Sequence, residues 1–148
     1  MKNEQKEQEL KFKEVYLDAN LFVYAAISTE QQGESARKML EEIERGNYEA
    51  YTAALTFDEI LWAITKHNDK ETAYKAAERF LSLPHLTLIE INTSLVQSFI
   101  EIYKNEKLKP RDALHLAAMQ SQNIKTMISS DADFDIIKGI KRMDFTKR

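Results

Sequence analysis

The sequence has no cysteine among its 148 residues, and it has only three glycines and two prolines. Without cysteine there is no disulfide framework, no thiolate metal site and no thiol nucleophile, so a bound metal would need oxygen or imidazole ligands. The glycines, Gly33, Gly46 and Gly139, form no glycine-rich phosphate loop, which argues against an NTPase. The absence of cysteine suits a reducing compartment, and we expect a cytoplasmic protein.

Long apolar runs and an excess of positive charge are also missing. The longest apolar run, residues 21–27, is too short to span a bilayer, and residues 1–14 lack the apolar core of a secretory signal. We therefore expect a soluble protein without a membrane partner. The formal net charge is −3 and the pI is about 5.7, so a nucleic-acid substrate would have to be held by a local basic patch or by a metal ion.

Strand and helix patterns alternate along the chain and predict an α/β fold. Strands are predicted at residues 15–17, 48–54, 86–91 and 125–129. Helices are predicted to begin at Asn20, Thr56 and Pro110 and to cover residues 34–46, 70–83 and 93–108. Such a pattern implies a parallel sheet that helices cover on both faces, with ligands bound beyond the carboxyl ends of its strands.

Two acids follow predicted strands in positions that have ordinary structural explanations. Asp18, in "VYLDAN", is equally well explained as the N-cap of the next helix or as a site residue. Glu59, in "TFDE", fits a capping box in which Thr56 is the N-cap, and taken alone this motif favours capping. Asp58 lies about 100° further around the helix and is expected to face solvent.

Asp112, in "PRDALHLAAM", is the most informative acid. It lies in the first turn of a helix that is apolar nearly all round, so we expect the helix to be mostly buried. Burying a carboxylate is costly unless it is paired, hydrogen-bonded or bound to a metal, and the adjacent Arg111 points elsewhere on the helix. A functional role is therefore favoured for Asp112. His115, on roughly the same face, is favoured as a satisfied core histidine over a metal ligand.

Three aspartates follow the last predicted strand in "SSDADFD". Asp135 is explained as an ordinary turn former or as a cap. If the strand is parallel to the first one, Asp131 can converge with Asp18 and Asp112, and Asp133 follows two residues later. Convergent carboxylates repel one another unless a cation lies between them, and hard oxygen ligands favour Mg²⁺ or Mn²⁺.

The ordered motifs "YLDANLFVYA", "TFDEILWAI", "PRDALHLAA" and "ISSDADFDII" resemble those of the PIN-domain nucleases, in particular the VapC-like toxins. The resemblance spans nearly the whole chain. It implies a three-layer α/β/α domain at residues 15–148, Mg²⁺- or Mn²⁺-dependent endoribonuclease activity and, usually, a homodimer inhibited by a cognate antitoxin. Residues 1–14 precede this domain as a charged extension, which we expect to be a solvated arm.

The resemblance also implies roles for individual residues. The catalytic and metal-binding positions are Asp18, Glu59, Asp112 and Asp131. The accessory positions are Asp133, Asn20, Thr56 and Ser129. Lys109 and Arg111, with Lys104 and Lys107 before them, could contact RNA phosphates, although a solvated charged face is favoured for this segment.

Two alternatives to a nuclease remain open. A phosphatase of the haloacid-dehalogenase type would need a second aspartate two residues after the first, where this chain has Asn20. A PIN-like interaction module without activity is the other, and the complete acid set argues against it. The aromatic residues Tyr24, Phe57, Trp62 and Phe134 are expected in the core. The apolar run at residues 21–27 and the helix around Trp62 are predicted dimer surfaces.

Overall fold

The structure, a computed structural model, describes residues 2–147, with the side chains of residues 7–12 left outside the description. Its helices are α1 (Lys2–Lys13), α2 (Ala19–Ile27), α3 (Gln31–Glu44), α4 (Ala54–His67), α5 (Lys70–Leu81), α6 (Thr93–Asn105) and α7 (Pro110–Ser121). Its strands are β1 (Glu14–Leu17), β2 (Glu49–Ala53), β3 (Leu86–Ile89), β4 (Thr126–Ile128) and β5 (Lys141–Met143). Short 3-10 helices cover Ala132–Ile136 and Phe145–Lys147.

The strands form one parallel sheet in the order β3-β2-β1-β4-β5. The first strand in the chain therefore lies in the middle, beside a strand that follows it by more than a hundred residues. Leu17 pairs with Ile128, and the Asp18 N–H donates to the Ile128 carbonyl over 3.1 Å. The carboxyl ends of β1 and β4 thus meet at one edge, as the sequence predicts.

Helices cover both faces of the sheet. Val15 and Leu17 of β1 belong to a core cluster with α2, α3, α4 and α5, whereas Tyr16 belongs to a cluster with α6 and α7. All three side chains are fully buried, because neighbouring residues of a strand point to opposite faces. Fully burying one large apolar side chain stabilises the fold by roughly 1.5–3 kcal/mol. These two layers of helices confirm the predicted α/β/α fold.

The structure differs from the sequence-based expectations in two elements at the ends of the chain. The segment predicted as a solvated arm is helical through Lys13 and continues directly into β1. Its residues 2–6 are exposed, which agrees with the predicted solvation, and its many Lys, Glu and Gln residues are good helix formers. Strand β5 was not predicted, because "KRM" is short and two of its three residues are charged.

Helix starts also differ from the predictions. Helix α4 begins at Ala54 immediately after β2, with Ala53 at the N-cap position, so the prediction that Thr56 starts this helix is wrong. Helix α2 begins at Ala19, one residue before the predicted start. The predicted end of α3 at Gly46 is confirmed: this residue has a φ of +82°, a conformation that glycine adopts without strain. No helix within residues 2–147 is long and apolar enough to cross a membrane.

Candidate active site

Asp18 lies at the carboxyl end of the central strand β1 and is buried. Its Oδ1 accepts a hydrogen bond from the Ala19 N–H over 2.7 Å, which makes it the N-cap of α2. Its Oδ2 accepts a hydrogen bond from the Ser129 hydroxyl over 2.6 Å. The two explanations that the sequence left open for Asp18 are therefore compatible, since one carboxylate caps a helix and faces the other acids.

Ser129 connects the first and last acidic motifs. Its buried hydroxyl donates to Asp18 and accepts hydrogen bonds from the Asp131 N–H, over 2.9 Å, and from the Asn20 side-chain amide, over 3.3 Å. The remaining oxygen of Asn20, Oδ1, is buried and has no partner among the described residues. Ser129 and Asn20 are thus in hydrogen-bond contact with the segments that carry Asp18 and Asp131, and their accessory role stays a prediction.

Glu59 does not cap the helix in which it lies. Its Oε1 is 2.5 Å from the His115 Nε2, and α4 has no side-chain cap. The capping-box interpretation is therefore wrong, because the N-cap position of α4 is Ala53, three residues before Thr56. The side chain of Glu59 is 18% exposed and lies beside Asp18 and His115, with one ligand atom of each residue within 4.8 Å of the others.

Thr56 contributes to the site indirectly, through a hydrogen bond with Thr52. The Thr52 hydroxyl donates to the Leu17 carbonyl over 2.8 Å, and the oxygens of Thr52 and Thr56 are 2.6 Å apart. Because Thr52 has already donated its only hydroxyl proton, Thr56 is the donor in this second bond. The pair fixes the start of α4 against the end of β1.

His115 is buried, and both of its ring nitrogens have partners. Its Nδ1 is 2.6 Å from the Tyr16 hydroxyl and its Nε2 bonds to Glu59, while Asp18 Oδ1 lies 3.9 Å from Nε2. Burial alone would lower the pKa of His115, but the hydrogen bond to Glu59 and the charge of Asp18 outweigh it and raise the pKa. The prediction of a satisfied core histidine is confirmed, and its partner is a carboxylate of the candidate site.

Asp112, Asp131 and Asp133 form a second acidic group, in which one carboxylate oxygen of each residue lies within 4.8 Å of the others. Desolvation, followed by the charges of Asp131 and Asp18, raises the pKa of Asp112 to about 6. Asp131 caps the 3-10 helix that follows it, since its Oδ1 accepts the Asp133 N–H over 2.9 Å. The influence of Asp18 on Asp112 shows that the two acidic groups share one electrostatic environment.

This arrangement fits a divalent cation. Among the described side chains, no lysine or arginine lies within 4.0 Å of the carboxylates of Asp18, Glu59, Asp112 or Asp131. Burial also raises the pKa of Asp18, so the acids bring negative charge together, and the imidazole of His115 is the basic group beside Asp18 and Glu59. Several carboxylate oxygens, with the unpartnered Asn20 Oδ1 nearby, are hard ligands of the kind that Mg²⁺ and Mn²⁺ prefer.

Basic residues lie at the edge of this acidic site. Lys109, at the N-cap position of α7, is 82% exposed and lies 4.0 Å from Asp133. Arg111 is also exposed. Both residues are accessible to a bound polyanion, so their predicted contact with RNA phosphates stays a prediction.

Asp135 has a structural partner that the sequence did not reveal. It forms a two-point ion pair with Arg142, at 2.7 and 3.0 Å, and it lies exposed in the 3-10 helix after β4, so the interpretation as a turn residue holds and only the interpretation as a cap is wrong. Arg142 lowers the pKa of Asp135 and also donates to the Ser129 carbonyl over 3.1 Å. The ion pair thereby ties the segment that carries Asp131 and Asp133 to β5.

The predicted burial of the aromatic residues and the predicted exposure of the apolar run at residues 21–27 are partly wrong. Phe134 is buried and Phe57 packs against Phe22, as predicted, but Trp62 is 56% exposed and Tyr24 is also exposed. Trp62 faces outward on α4, where the Lys66 ammonium lies 4.9 Å from its ring. The run at residues 21–27 is mostly packed against the core rather than exposed, because α2 contacts both α3 and α4. Its predicted use as a dimer surface therefore loses its basis.

Two contacts at this site were missed by sequence reasoning, namely Tyr16 with His115 and His115 with Glu59. The available signal was the spacing of three residues that places His115 on the Asp112 face of α7. Asp58 is exposed, as predicted.

The chain is similar to known proteins over most of its length. The family model of the PIN domain matches residues 15–140. VapC ribonuclease Mb1869c of Mycobacterium bovis and ribonuclease VapC13 of Mycobacterium tuberculosis are each 25% identical to it over 129 residues, which is 87% of this chain and 98% of the relative.

Solved structures agree with this fold. VapBC2 of Rickettsia felis, bound to a DNA fragment from its promoter, aligns with a TM-score of 0.68 at 19% identity, covering 88% of this chain and 97% of the other. VapC20 of Mycobacterium tuberculosis, a toxin that cleaves the sarcin–ricin loop, aligns with a TM-score of 0.68 at 14% identity, covering 82% and 92%.

Proposed function

The chain belongs to the PIN-domain family, and on that premise we propose that it is a metal-dependent endoribonuclease that hydrolyses RNA phosphodiester bonds. The proposal rests on two acidic groups near the carboxyl ends of β1 and β4, without a lysine or arginine within 4.0 Å of their buried acids. One group contains Asp18 and Glu59, the other contains Asp112 and Asp131, and the charge of Asp18 acts on Asp112. The names of the relatives, which describe ribonucleases, support the same activity.

In this proposal the four acids hold Mg²⁺ or Mn²⁺, and Asp133 supports them from the more exposed side. A bound ion of this kind lowers the pKa of a water ligand and stabilises negative charge on a phosphate. Asp18 and Asp112 are partly or fully buried, so their carboxylates are held in fixed places by the ends of β1 and α7. Hydrolysis then forms a bond from the water oxygen to phosphorus and breaks one phosphorus–ester bond, without a covalent enzyme intermediate.

Neither alternative class fits this arrangement as well. Asn20, at the position where a haloacid-dehalogenase-type phosphatase needs its second aspartate, instead donates to Ser129. An interaction module without activity would have no use for buried carboxylates with raised pKa values, because each of them opposes folding when it is charged.

The test is RNA cleavage by the purified protein, freed of any bound inhibitor, in Mg²⁺ or Mn²⁺ and again in EDTA. Asp112→Asn should abolish cleavage, whereas Asp58→Asn, which changes an exposed acid on α4, should cleave like the wild type. Undiminished cleavage in EDTA, or by Asp112→Asn, would contradict the proposal.

We also propose that the protein is the toxin of a toxin–antitoxin pair in the cytoplasm. Solved structures of similar fold include toxin–antitoxin complexes, among them one from Klebsiella pneumoniae. A small protein encoded beside this one should co-purify with it and inhibit cleavage. The homodimer stays a prediction, with the α4 surface around Trp62 as its candidate interface. A monomer by light scattering at micromolar concentration would contradict that prediction.

A further inference from the structure

We propose that Tyr16 and His115 are positioning residues of the nuclease, which together hold the Glu59 carboxylate in its place at the metal site. This inference rests on the proposed function, and it adds two residues to the acids and accessory residues that the resemblance implies. The observation behind it is a continuous chain of hydrogen bonds from the middle of the sheet to Glu59.

The chain of hydrogen bonds starts from a rigid part of the fold. Tyr16 is fully buried on the central strand β1, and its ring meets His115 edge-on with the ring centroids 5.7 Å apart. His115 is 1% exposed and lies on α7, among the apolar side chains of that helix. Neither side chain can turn away without opening a cavity in the core.

The two hydrogen bonds also fix the direction of the imidazole. An ionised Glu59 can only accept hydrogen bonds, so the His115 Nε2 must carry the proton that lies between them. Nδ1 is 2.6 Å from the Tyr16 hydroxyl, which can donate to it in the neutral ring and accept from it in the protonated ring. Removing the Tyr16 hydroxyl would leave Nδ1 buried without a partner.

Glu59 needs this support because its side chain projects from a different element than those of the other acids. It projects from α4, while the other acids follow β1, lie in the first turn of α7 or follow β4, and its side chain is hydrogen-bonded to His115. Without that donor, Glu59 would be free to turn away from Asp18, which carries the same charge. Mutating a residue that is hydrogen-bonded to a metal-binding side chain typically lowers metal affinity or activity by about 10–100-fold.

The geometry argues against His115 as a direct ligand. Its Nε2 is engaged by Glu59 at 2.5 Å and its Nδ1 by Tyr16, so neither nitrogen is free to bind an ion. A positioning role needs only the hydrogen bond that the structure already contains.

The experiment compares Tyr16→Phe, His115→Gln and His115→Leu with the wild type. Glutamine retains an N–H donor near the position of Nε2, whereas leucine retains only bulk. We expect Mn²⁺ affinity, measured by isothermal titration calorimetry, to fall about 10–100-fold in His115→Leu, to recover largely in His115→Gln and to fall by a smaller factor in Tyr16→Phe. Values of kcat and of KM for Mn²⁺ are measured in parallel on the same proteins.

The control is Met39→Ala, which removes a buried side chain of the core cluster on the opposite face of the sheet. It should lower Tm without changing Mn²⁺ affinity, so a loss that comes from instability alone can be recognised. If His115→Leu binds Mn²⁺ as tightly as the wild type, the inference is overturned.

Pulsed electron paramagnetic resonance of bound Mn²⁺ provides the spectroscopic readout. We expect no directly coordinated imidazole nitrogen in the wild-type spectrum, and a strong ¹⁴N coupling that disappears in His115→Leu would make His115 a ligand and overturn the positioning role. A wild type that binds no Mn²⁺ would overturn both this inference and the proposed function. A wild type that binds Mn²⁺ and cleaves RNA, with variants that behave like it, would overturn only the inference.

Discussion

Replacing Asp112 by asparagine should stabilise the metal-free protein at neutral pH, although the same change should abolish cleavage. Asp112 is half-buried and shares its surroundings with Asp131, Asp18 and Asp133, which raise its pKa together with desolvation. A carboxyl whose pKa is higher in the folded state than in the unfolded chain binds more protons when folded. It therefore lowers the free energy of unfolding as the pH rises through the interval between the two values.

The magnitude follows from that interval. The pKa rises from 3.8 to about 6 on folding. At a pH above both values this corresponds to about 3 kcal/mol of destabilisation. Asp112 is partly exposed to water, so screening reduces this to roughly 1.5 kcal/mol. The loss of a favourable charge in the first turn of α7 opposes the gain by about 0.5 kcal/mol.

A net gain of about 1 kcal/mol corresponds to a rise in Tm of roughly 2–4 °C in a domain of this size. The assay is thermal unfolding of the wild type and of Asp112→Asn in EDTA at pH 8 and at pH 5. At pH 5 the destabilisation caused by the Asp112 carboxyl should be roughly half as large as at pH 8. Saturating Mg²⁺ should reverse the order, because only the wild type keeps its full set of ligands and ligand binding stabilises the folded state. Asp58→Asn serves as the control for removing an acid elsewhere.

A lower Tm for Asp112→Asn than for the wild type in EDTA at both pH values would refute this reasoning. It would mean that the carboxylate is stabilised by its surroundings and that the acids do not repel one another as their positions suggest.

Three other predictions concern the residues around Asp112. Glu59→Gln should lose most cleavage activity while its Tm stays close to that of the wild type, because Glu59 caps no helix; a large fall in Tm with normal cleavage would contradict this. Ser129→Ala should lower the free energy of unfolding by about 1–3 kcal/mol, because it removes the donor to Oδ2 of the buried Asp18 and leaves only the Ala19 N–H at Oδ1, and urea unfolding tests this. Asp131→Asn should impair cleavage strongly and Asp133→Asn partly. Asp135→Asn should lower Tm, because it weakens the ion pair with Arg142, but should leave cleavage at saturating metal largely intact. Equal losses of cleavage rate for Asp131→Asn and Asp135→Asn would refute this ranking.

The placement of the acids could be predicted because it depends on local patterns. Asp18 and Asp131 each follow a short apolar strand, and parallel strands bring such positions to one edge of a sheet. The amphipathic and apolar segments likewise predict most helices, since their periodicity reflects the side that faces the sheet. The structure agrees with these expectations at β1, β4 and α7.

The contacts between distant residues could not be predicted in the same way. Tyr16 and His115 are separated by 99 positions, and no local pattern shows that a hydroxyl of β1 reaches an imidazole of α7. The prediction of an N-cap at Thr56 was wrong for a related reason. The local sequence suggests a cap, but α4 begins directly after β2, at Ala54. Trp62 is exposed although it is aromatic, and a surface of this kind is defined by the folded chain rather than by residue type.

The order of the strands has a consequence for the synthesis of the protein. Strand β1 is the first strand to leave the ribosome, but its neighbour β4 and the residue Asp131 follow it by more than a hundred residues. A growing chain that ends before them holds Asp18 and Glu59 without the partners on β4 and in the segment after it. Because pairing over so many residues is slow, the candidate site is assembled only after β4 and the segment that follows it have been translated. A nuclease of this topology is therefore unable to attack RNA until the segment that follows β4 has left the ribosome.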